Sequence, residues 1–240
     1  MKKRRAARFQ DDQDTTSLRP ARARHQAERE PPQLRAMNER QGAYIEALRT
    51  EPQVVVLGPA GTGKTFIAGT HAADALRQRR VSKVIITRPN VAAGRSLGFF
   101  PGTLEEKIAP WVAPLTETMK ERMGAGAFEI AMKRGDIEIV PFEVMRGRTF
   151  KDCIVILDEA QNTTPAEIKM FLTRIGDDAQ VIVNGDVSQT DLKESSGLRT
   201  ILHLIKSKAL PIPVIEFELD DIVRSGICAE WVRAFHEAGI

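Results

Sequence analysis

Short apolar runs alternate with helical patterns along the chain from Gln33 onward. Six runs have the length and the β-branched residues of buried strands, at positions 54–57, 84–87, 137–140, 154–157, 181–183 and 214–217. Between them, apolar residues recur at helical spacing, as in 68–76 and 168–175. Continuous apolar strands are typical of a sheet covered on both faces, and strands that alternate with helices favour a parallel sheet. The pattern therefore predicts one α/β domain over residues 34–240, with helices flanking a parallel sheet.

The start of one helix can be located from the sequence. Thr164 offers an N-cap hydroxyl, Pro165 fits the first helical position, and Glu167 completes a capping box. The apolar run at 154–157 must therefore end in a loop at 158–163. Since ligands bind α/β proteins at the carboxyl ends of parallel strands, we expect this loop to belong to a functional site.

The motif with the clearest chemistry follows the first predicted strand. It matches the phosphate-binding pattern G-x-x-x-x-G-K-[ST] and consists of Gly58, Pro59, Ala60, Gly61, Thr62, Gly63, Lys64 and Thr65. In such a P-loop, backbone N–H groups wrap a phosphate at the N-terminus of the next helix. We expect Lys64 to reach the outer phosphates of ATP and Thr65 to ligate Mg²⁺. The alternative is a plain glycine-rich turn.

Two further loops carry residues suited to phosphate hydrolysis. A P-loop needs a carboxylate at the end of a neighbouring strand to hold Mg²⁺, and Asp158 is the candidate. Glu159 would orient or deprotonate an attacking water, which favours hydrolysis over phosphate transfer to an alcohol. After the next strand, Asp186 and Gln189 would reach the γ-phosphate or its water. A solvated strand end and an ordinary turn are the respective alternatives.

The basic charge is concentrated in the N-terminal segment. Residues 1–33 carry nine Lys and Arg against five acids, whereas the other 207 residues carry 26 against 27. The segment has one aromatic residue and no sustained periodicity, so it predicts a disordered tail. It would be either a solvated extension or a nonspecific nucleic-acid arm.

Composition excludes several classes of protein. No aliphatic run approaches the roughly 20 residues of a membrane-spanning helix, and the basic N-terminus is not followed by an apolar segment. We therefore expect a cytoplasmic protein without a membrane partner. The two cysteines cannot form a disulfide framework, and Cys153, which opens an apolar run, is interpreted as a small core residue.

Two other stretches offer cations and aromatic faces to a nucleic acid. Positions 87–103 contain Arg88, Arg95, Phe99 and Phe100, and Arg146 and Arg148 precede the acidic loop. In the alternative interpretation, Phe99, Phe100 and Trp111 pack on the core, and the arginines are solvated or paired with acids.

Six blocks of sequence closely resemble PhoH-like P-loop ATPases, in the same order, between residues 38 and 226. They are Gly-Pro-Ala-Gly-Thr-Gly-Lys-Thr (58–65), Thr-Arg-Pro (87–89), Leu-Gly-Phe-Phe-Pro-Gly-Thr-Leu-Glu-Glu-Lys-Ile (97–108), Ile-Leu-Asp-Glu-Ala-Gln-Asn-Thr-Thr-Pro (156–165), Met-Phe-Leu-Thr-Arg-Ile-Gly (170–176) and Asn-Gly-Asp-Val-Ser-Gln-Thr-Asp-Leu (184–192). Two positions depart from the family, which often has Thr at position 184 and His at position 225, where this chain has Asn184 and Ser225.

The resemblance implies a single RecA-like P-loop domain similar to the first motor lobe of superfamily-1 helicases, ATP binding and a role in RNA metabolism. It also implies that Gln41 pairs with the adenine edge. The alternative for this region is an amphipathic entry helix with Tyr44, Ile45 and Leu48 facing inward.

The expected function is Mg²⁺-dependent ATP hydrolysis coupled to single-stranded RNA. The alternatives are an ATP-dependent switch that acts on a protein partner without translocation and, less favoured, a small-molecule kinase. Since 51 residues follow Gln189, we expect no second motor lobe, and we expect a homo-oligomer in which another subunit completes the pocket. Family members are suspected to form hexamers. Arg224, projecting from a C-terminal helix, would act across that interface; its alternative is a surface residue paired with Asp220 or Asp221.

Overall fold

A six-stranded parallel sheet lies at the centre of the computed structural model. The structure describes residues 30–89, 104–189, 196–224 and 226–238. The strands are β1 (Gln53–Leu57), β2 (Lys83–Thr87), β3 (Ile137–Ile139), β4 (Cys153–Leu157), β5 (Ala179–Gly185) and β6 (Val214–Glu216). Each predicted apolar run forms a strand, and every pairing within the sheet is parallel. The predicted α/β fold class is confirmed.

Helices cover both faces of the sheet. They are α1 (Glu39–Thr50), α2 (Lys64–Arg77), α3 (Leu104–Met123), α4 (Ala125–Arg134), α5 (Pro165–Leu172), α6 (Gly197–Ser207) and α7 (Gly226–Glu237). Alternate residues of β1 belong to the hydrophobic cores on opposite faces of the sheet. Val54 and Val56 pack with α1 to α4, whereas Val55 and Leu57 pack with α5 and α6. Burial on both faces explains why the strands are continuous apolar runs.

The strand order is β3-β2-β4-β5-β1-β6. The loop after β1 and the loop after β4 were expected on neighbouring strands, and this expectation is wrong because β5 lies between them. Both strands still end beside β5, where Leu57 aligns with Gly185 and Leu157 with Val183. The carboxyl ends of β1, β5 and β4 therefore form one continuous edge of the sheet.

Several sequence expectations can be compared with this fold. Cys153 is buried as a core residue, and burial raises the pKa of its thiol to about 11. Tyr44, Ile45 and Leu48 of α1 face inward as expected. Residues 1–29 of the predicted tail, and Arg95, Phe99 and Phe100, lie outside the described residues. Within the described ranges, no helix is both long enough and apolar enough to cross a membrane.

Candidate functional site

The P-loop connects β1 to the first turn of α2 with a backbone that favours glycine. Gly58 and Gly63 have φ angles of +134° and +93°. A Cβ atom at Gly58 would lie 2.6 Å from the backbone oxygen of Phe217, and one at Gly63 would lie 2.9 Å from Nε2 of Gln41. Both the conformation and the close neighbours therefore require glycine. Gly63 precedes the helix directly, so free N–H groups at the start of α2 face the loop.

Lys64 is held inside its own loop. Its Nζ donates hydrogen bonds to the carbonyl oxygens of Gly58 at 2.5 Å and Pro59 at 2.8 Å. Burial lowers the pKa of Lys64, while the charges of Asp186, Asp158 and Glu159 oppose that shift. A lysine in the first turn of a helix, beside the backbone N–H groups of a glycine-rich loop, is suited to an anionic ligand such as a polyphosphate.

Thr65 and Asp158 meet at the edge of the sheet. The Thr65 hydroxyl lies 3.4 Å from each oxygen of the Asp158 carboxylate. Burial raises the pKa of Asp158, and the neighbouring Glu159 charge raises it further; Arg88 and Lys64 act in the opposite direction. A hydroxyl and a carboxylate are hard oxygen ligands, so this pair fits Mg²⁺ that is also bound by phosphate and water.

Glu159 is held by two donors in an unusual backbone conformation. Its φ of +55° lies in the left-handed region, which costs a non-glycine residue on the order of 1 kcal/mol. Its Oε2 accepts a hydrogen bond of 2.5 Å from Nε2 of Gln161, and its Oε1 lies 3.5 Å from a guanidinium nitrogen of Arg88. Arg88 is itself fixed by a hydrogen bond of 2.7 Å to the carbonyl oxygen of Trp111. The surrounding contacts therefore fix the Glu159 carboxylate in the cleft.

Gln161 is a site residue that the sequence argument missed. Its side chain is 2% exposed and belongs to the short 3₁₀ helix Ala160–Asn162. While Nε2 donates to Glu159, Oε1 accepts a hydrogen bond of 3.0 Å from the backbone N–H of Asp186. The signal available in the sequence was an amide side chain two residues after Glu159. The structure adds that this stretch is buried.

The predicted capping box holds this loop at its far end. The Thr164 hydroxyl accepts from the backbone N–H of Glu167 at 3.2 Å, and the Glu167 carboxylate accepts from the backbone N–H of Thr164 at 2.7 Å. The prediction that α5 begins here is confirmed. The loop that carries Asp158, Glu159 and Gln161 is thus fixed between the end of β4 and this cap.

Asp186 follows β5 and lies beside the P-loop. Its Oδ1 accepts hydrogen bonds from the Ser188 backbone N–H at 2.9 Å and from the Ser188 hydroxyl at 2.6 Å. Its Oδ2 is buried and has no hydrogen-bond partner among the described residues. A buried carboxylate oxygen without a partner is costly, which marks this atom as a candidate for contact with a ligand or its water.

The residues brought together line a cleft of about 400 Å³ above the P-loop. Of the sequence-predicted residues, it is lined by Ala60, Gly61, Gly63, Lys64, Thr65, Asp158, Glu159, Asp186, Gln189 and Arg224. It also includes Phe66, an aromatic residue that is 53% exposed and that the sequence argument missed. The available signal was its position directly after the P-loop motif.

Gln41 is not among the described residues that line the cleft. Its Oε1 accepts a hydrogen bond of 2.9 Å from the backbone N–H of Met37, and its Nε2 donates one of 3.0 Å to the carbonyl oxygen of Thr62. The side chain is 4% exposed. In this structure Gln41 stabilises the P-loop through Thr62, and pairing with a base edge would require it to leave these contacts.

Arg224 lies elsewhere than expected. Helix α7 begins at Gly226, so Arg224 precedes the helix instead of projecting from it. The backbone N–H of Val223 donates to the carbonyl oxygen of Gly61 at 3.0 Å, which anchors the turn on the P-loop. A Cβ atom added to Gly61 would lie 3.0 Å from Cγ of Arg224, so the arginine crosses the P-loop of its own chain.

The alternative pairing of Arg224 is also absent from the described contacts. Asp220 lies 3.9 Å from Arg233, and Asp221 lies 3.2 Å from Arg40. These two acids, either of which would pair with Arg224 in the alternative interpretation, therefore lie beside other cations.

The proposed nucleic-acid residues show a mixed outcome. Trp111 is 45% exposed and lies on the outer surface of α3, which contradicts the alternative interpretation that it packs on the core. Arg148 pairs with Glu138 at 2.5 Å and lies 5.2 Å from the ring centre of Phe150, which fits the alternative of arginines paired with acids. Arg146 is exposed.

Comparisons with known proteins agree on one family. A family model described as PhoH-like protein matches residues 33–236. A PhoH-like protein of Bacillus subtilis is 45% identical over 204 residues, which cover 84% of this chain and 63% of the relative. Protein PhoH of Escherichia coli is 41% identical over 204 residues, covering 83% of this chain and 57% of the relative. The chain thus spans about three-fifths of the length of these relatives.

A search of solved structures finds a more distant likeness. The Pif1 helicase from Candida albicans is similar with a TM-score of 0.40 and 15% sequence identity. The match covers 77% of this chain and 41% of the helicase chain. Similarity at this level supports no functional conclusion.

Proposed function

Because the chain belongs to the PhoH-like protein family, we propose that it binds ATP together with Mg²⁺ and hydrolyses the γ-phosphate. One observation carries the proposal: the P-loop lysine, the Thr65 and Asp158 oxygens and the Glu159 carboxylate line a single cleft. A P-loop alone fits many phosphate ligands. The added carboxylate beside the metal-binding pair favours water as the acceptor of the phosphoryl group.

The cleft residues would divide the work between binding and hydrolysis. The loop N–H groups and Lys64 would bind the polyphosphate, Lys64 leaving the carbonyl oxygens of Gly58 and Pro59 to do so. When bound, Mg²⁺ would offset phosphate charge, and the Thr65 hydroxyl and the Asp158 carboxylate would hold it. Glu159 would orient the attacking water and accept its proton, and Gln189, exposed at the rim, would contact the γ-phosphate or that water. Phe66 would offer a face on which the base can stack.

The test of this function is ATP hydrolysis by the full chain with Mg²⁺ and with excess chelator. Hydrolysis should require Mg²⁺ and should fall in Lys64→Ala. Lys169→Ala, which removes an exposed lysine of α5, is the matched control and should keep the wild-type rate. Hydrolysis that persists in Lys64→Ala would show that the activity does not come from this cleft.

We propose that hydrolysis is coupled to single-stranded RNA, as the family resemblance implies. The concentration of basic residues in positions 1–33 supports a polyanionic partner. Single-stranded RNA should raise the rate of ATP hydrolysis, and duplex RNA labelled for strand separation would test helicase-like action. An ATPase that binds no RNA would count against the coupling and leave the hydrolytic function standing.

A second candidate is an ATP-dependent switch that acts on a protein, and α7 favours it. Ile227, Trp231 and Phe235 recur at intervals of four on this helix, and all three side chains are exposed. The rings of Trp231 and Phe235 stack at 5.6 Å between centroids. An exposed apolar stripe of this kind is typical of a protein contact, including contact between copies of the chain. We also propose a homo-oligomer in the form of a six-membered ring, and mass measurement with and without nucleotide would test it.

A further inference from the structure

We propose that Arg224 serves the nucleotide bound to its own chain, as a second cation beside Lys64. The inference rests on the proposed ATPase function and replaces the expectation of an arginine supplied by a neighbouring subunit. Charge that develops on the γ-phosphate during hydrolysis is stabilised by a cation held close to it. Arg224 lies against Gly61 of the same molecule and lines the cleft that also contains Lys64.

The turn that carries Arg224 is anchored both to the P-loop and to the start of α1. On one side, the backbone of Val223 bonds to Gly61 at 3.0 Å. On the other, Nε of Arg40 lies 3.2 Å from the Asp221 carboxylate, and Nδ2 of Asn38 donates to the Asp221 carbonyl oxygen at 3.3 Å. These contacts fix the backbone immediately before Arg224. An arginine that reached a neighbouring subunit would have to project away from this surface, whereas Arg224 lies across it.

The charges around Arg224 leave it available to an anion. Arg88, the other arginine on the cleft wall, is engaged by Glu159 and by the carbonyl oxygen of Trp111. The nearest acids in sequence are engaged as well, Asp220 by Arg233 and Asp221 by Arg40. Within the described part of the chain, Arg224 forms no ion pair, and its side chain is exposed in the cleft. An unpaired guanidinium beside a phosphate-binding loop is suited to bidentate contact with phosphate oxygens.

The first experiment measures the variants of the full chain alone. Arg224→Ala should lower kcat/KM for ATP on the order of 10²-fold, by analogy with removal of one preorganised donor, and Arg224→Lys should keep an intermediate rate. Arg233→Ala is the matched control, since it removes an arginine from α7 that the structure places outside the cleft. The thermal unfolding temperature of each variant verifies folding. A folded Arg224→Ala protein with the wild-type kcat/KM would overturn the proposal.

The second experiment determines which subunit uses the arginine. Arg224→Ala is mixed with Lys64→Ala under conditions in which subunit exchange is verified. If Arg224 acts within its own chain, no subunit of the mixture has both groups, so the rate should equal the average of the two variants. Activity that rises above this average would show that the arginine acts across an interface and would overturn the proposal. If the protein is monomeric, hydrolysis by the monomer supports the same conclusion.

A binding measurement separates failure of this inference from failure of the proposed function. ATP is titrated against wild-type protein and Arg224→Ala, both diluted until mass measurement shows monomers. Weaker binding by the Arg224→Ala monomer supports contact within one chain even if no hydrolysis is detected. If the wild type hydrolyses ATP, equal affinities and equal rates of the wild type and Arg224→Ala would overturn the inference.

Discussion

The side-chain amide of Gln161 donates a hydrogen bond of 2.5 Å to the carboxylate of Glu159. The other end of the same amide accepts a hydrogen bond of 3.0 Å from the backbone of Asp186, on the loop that also carries Gln189. A buried amide therefore connects the candidate general base after β4 with the candidate phosphate-contacting loop after β5. We expect a movement of either loop to affect the other, because both hydrogen bonds belong to the same side chain.

We predict that Gln161→Leu lowers kcat for ATP hydrolysis by roughly tenfold while changing KM much less. The substitution removes the donor that positions Glu159 but leaves the P-loop contacts in place. Gln180→Leu is the matched control: Gln180 is also hydrogen-bonded, but it lies near the start of β5 and bonds to the carbonyl oxygens of Leu48 and Glu51. We expect Gln180→Leu to reduce stability and to leave kcat intact. Equal losses of kcat in the two folded variants would contradict a positioning role for Gln161.

The proposed functions of Lys64 and Glu159 predict different defects. Lys64→Ala should weaken ATP binding, because it removes the cation of the P-loop. Glu159→Gln should still bind ATP with Mg²⁺ but lose turnover by about 10²-fold or more, because an amide cannot accept the proton of the attacking water. Binding titrations beside single-turnover hydrolysis distinguish the two. Near wild-type turnover in Glu159→Gln would exclude Glu159 as the base.

The buried carboxyl of Asp158 predicts a stability effect with a defined sign. Because its pKa is raised in the folded protein, the folded state binds more protons than the unfolded state, and stability falls as pH rises through and above the usual aspartate range. Asp158→Asn should therefore raise the unfolding temperature at neutral pH, measured in chelator.

The same comparison at low pH provides the control for Asp158. Below the unfolded pKa of about 3.9, the carboxyl is protonated in both states, so the advantage of the asparagine variant should disappear. A gain in unfolding temperature that is equal at both pH values would mean that removal of the charge is not its cause.

The tail prediction concerns salt dependence. Deletion of residues 1–33 should leave the basal ATPase rate intact and make the dependence of RNA affinity on salt concentration shallower, because fewer counterions are released from the phosphates. A full-length variant with the nine Lys and Arg of this segment replaced by Gln is the matched control and should show the same slope as the deletion. An unchanged slope in both would mean that these charges do not contact RNA.

Local signals made much of the fold predictable. The β-branched runs, the capping box at Thr164 and the P-loop glycines depend on residues close together in sequence, and each was located correctly. Placement of β5 between β1 and β4 depends on how distant segments pair, which no local pattern specifies. The structure was needed to establish that Asp158 approaches Thr65 across the end of β5.

The features missed at the site have the same physical origin. Gln161 was missed because its contacts depend on tertiary packing, which brings its buried amide within hydrogen-bond distance of Glu159 and of the backbone of Asp186. The position of Arg224 depends on a hydrogen bond between Val223 and Gly61, which are far apart in sequence. The alternative interpretation placed Trp111 in the core, but the face of α3 on which it lies is exposed. Side-chain type indicated the chemistry, whereas tertiary packing determined which partners each group meets.

The edge strand β6 leads to Arg224, whereas its neighbour β1 leads into the P-loop. It pairs with β1 through only three aligned residues, and the chain that leaves it leads to Arg224. On its other side, β1 is aligned with β5 over five residues. Withdrawal of the arginine would require local opening of β6 together with loss of the contacts of Val223 and Asp221, and β5 would still support the strand that leads into the P-loop. The outer edge of the sheet is therefore a point at which we expect the proposed turnover to change while the P-loop remains in place.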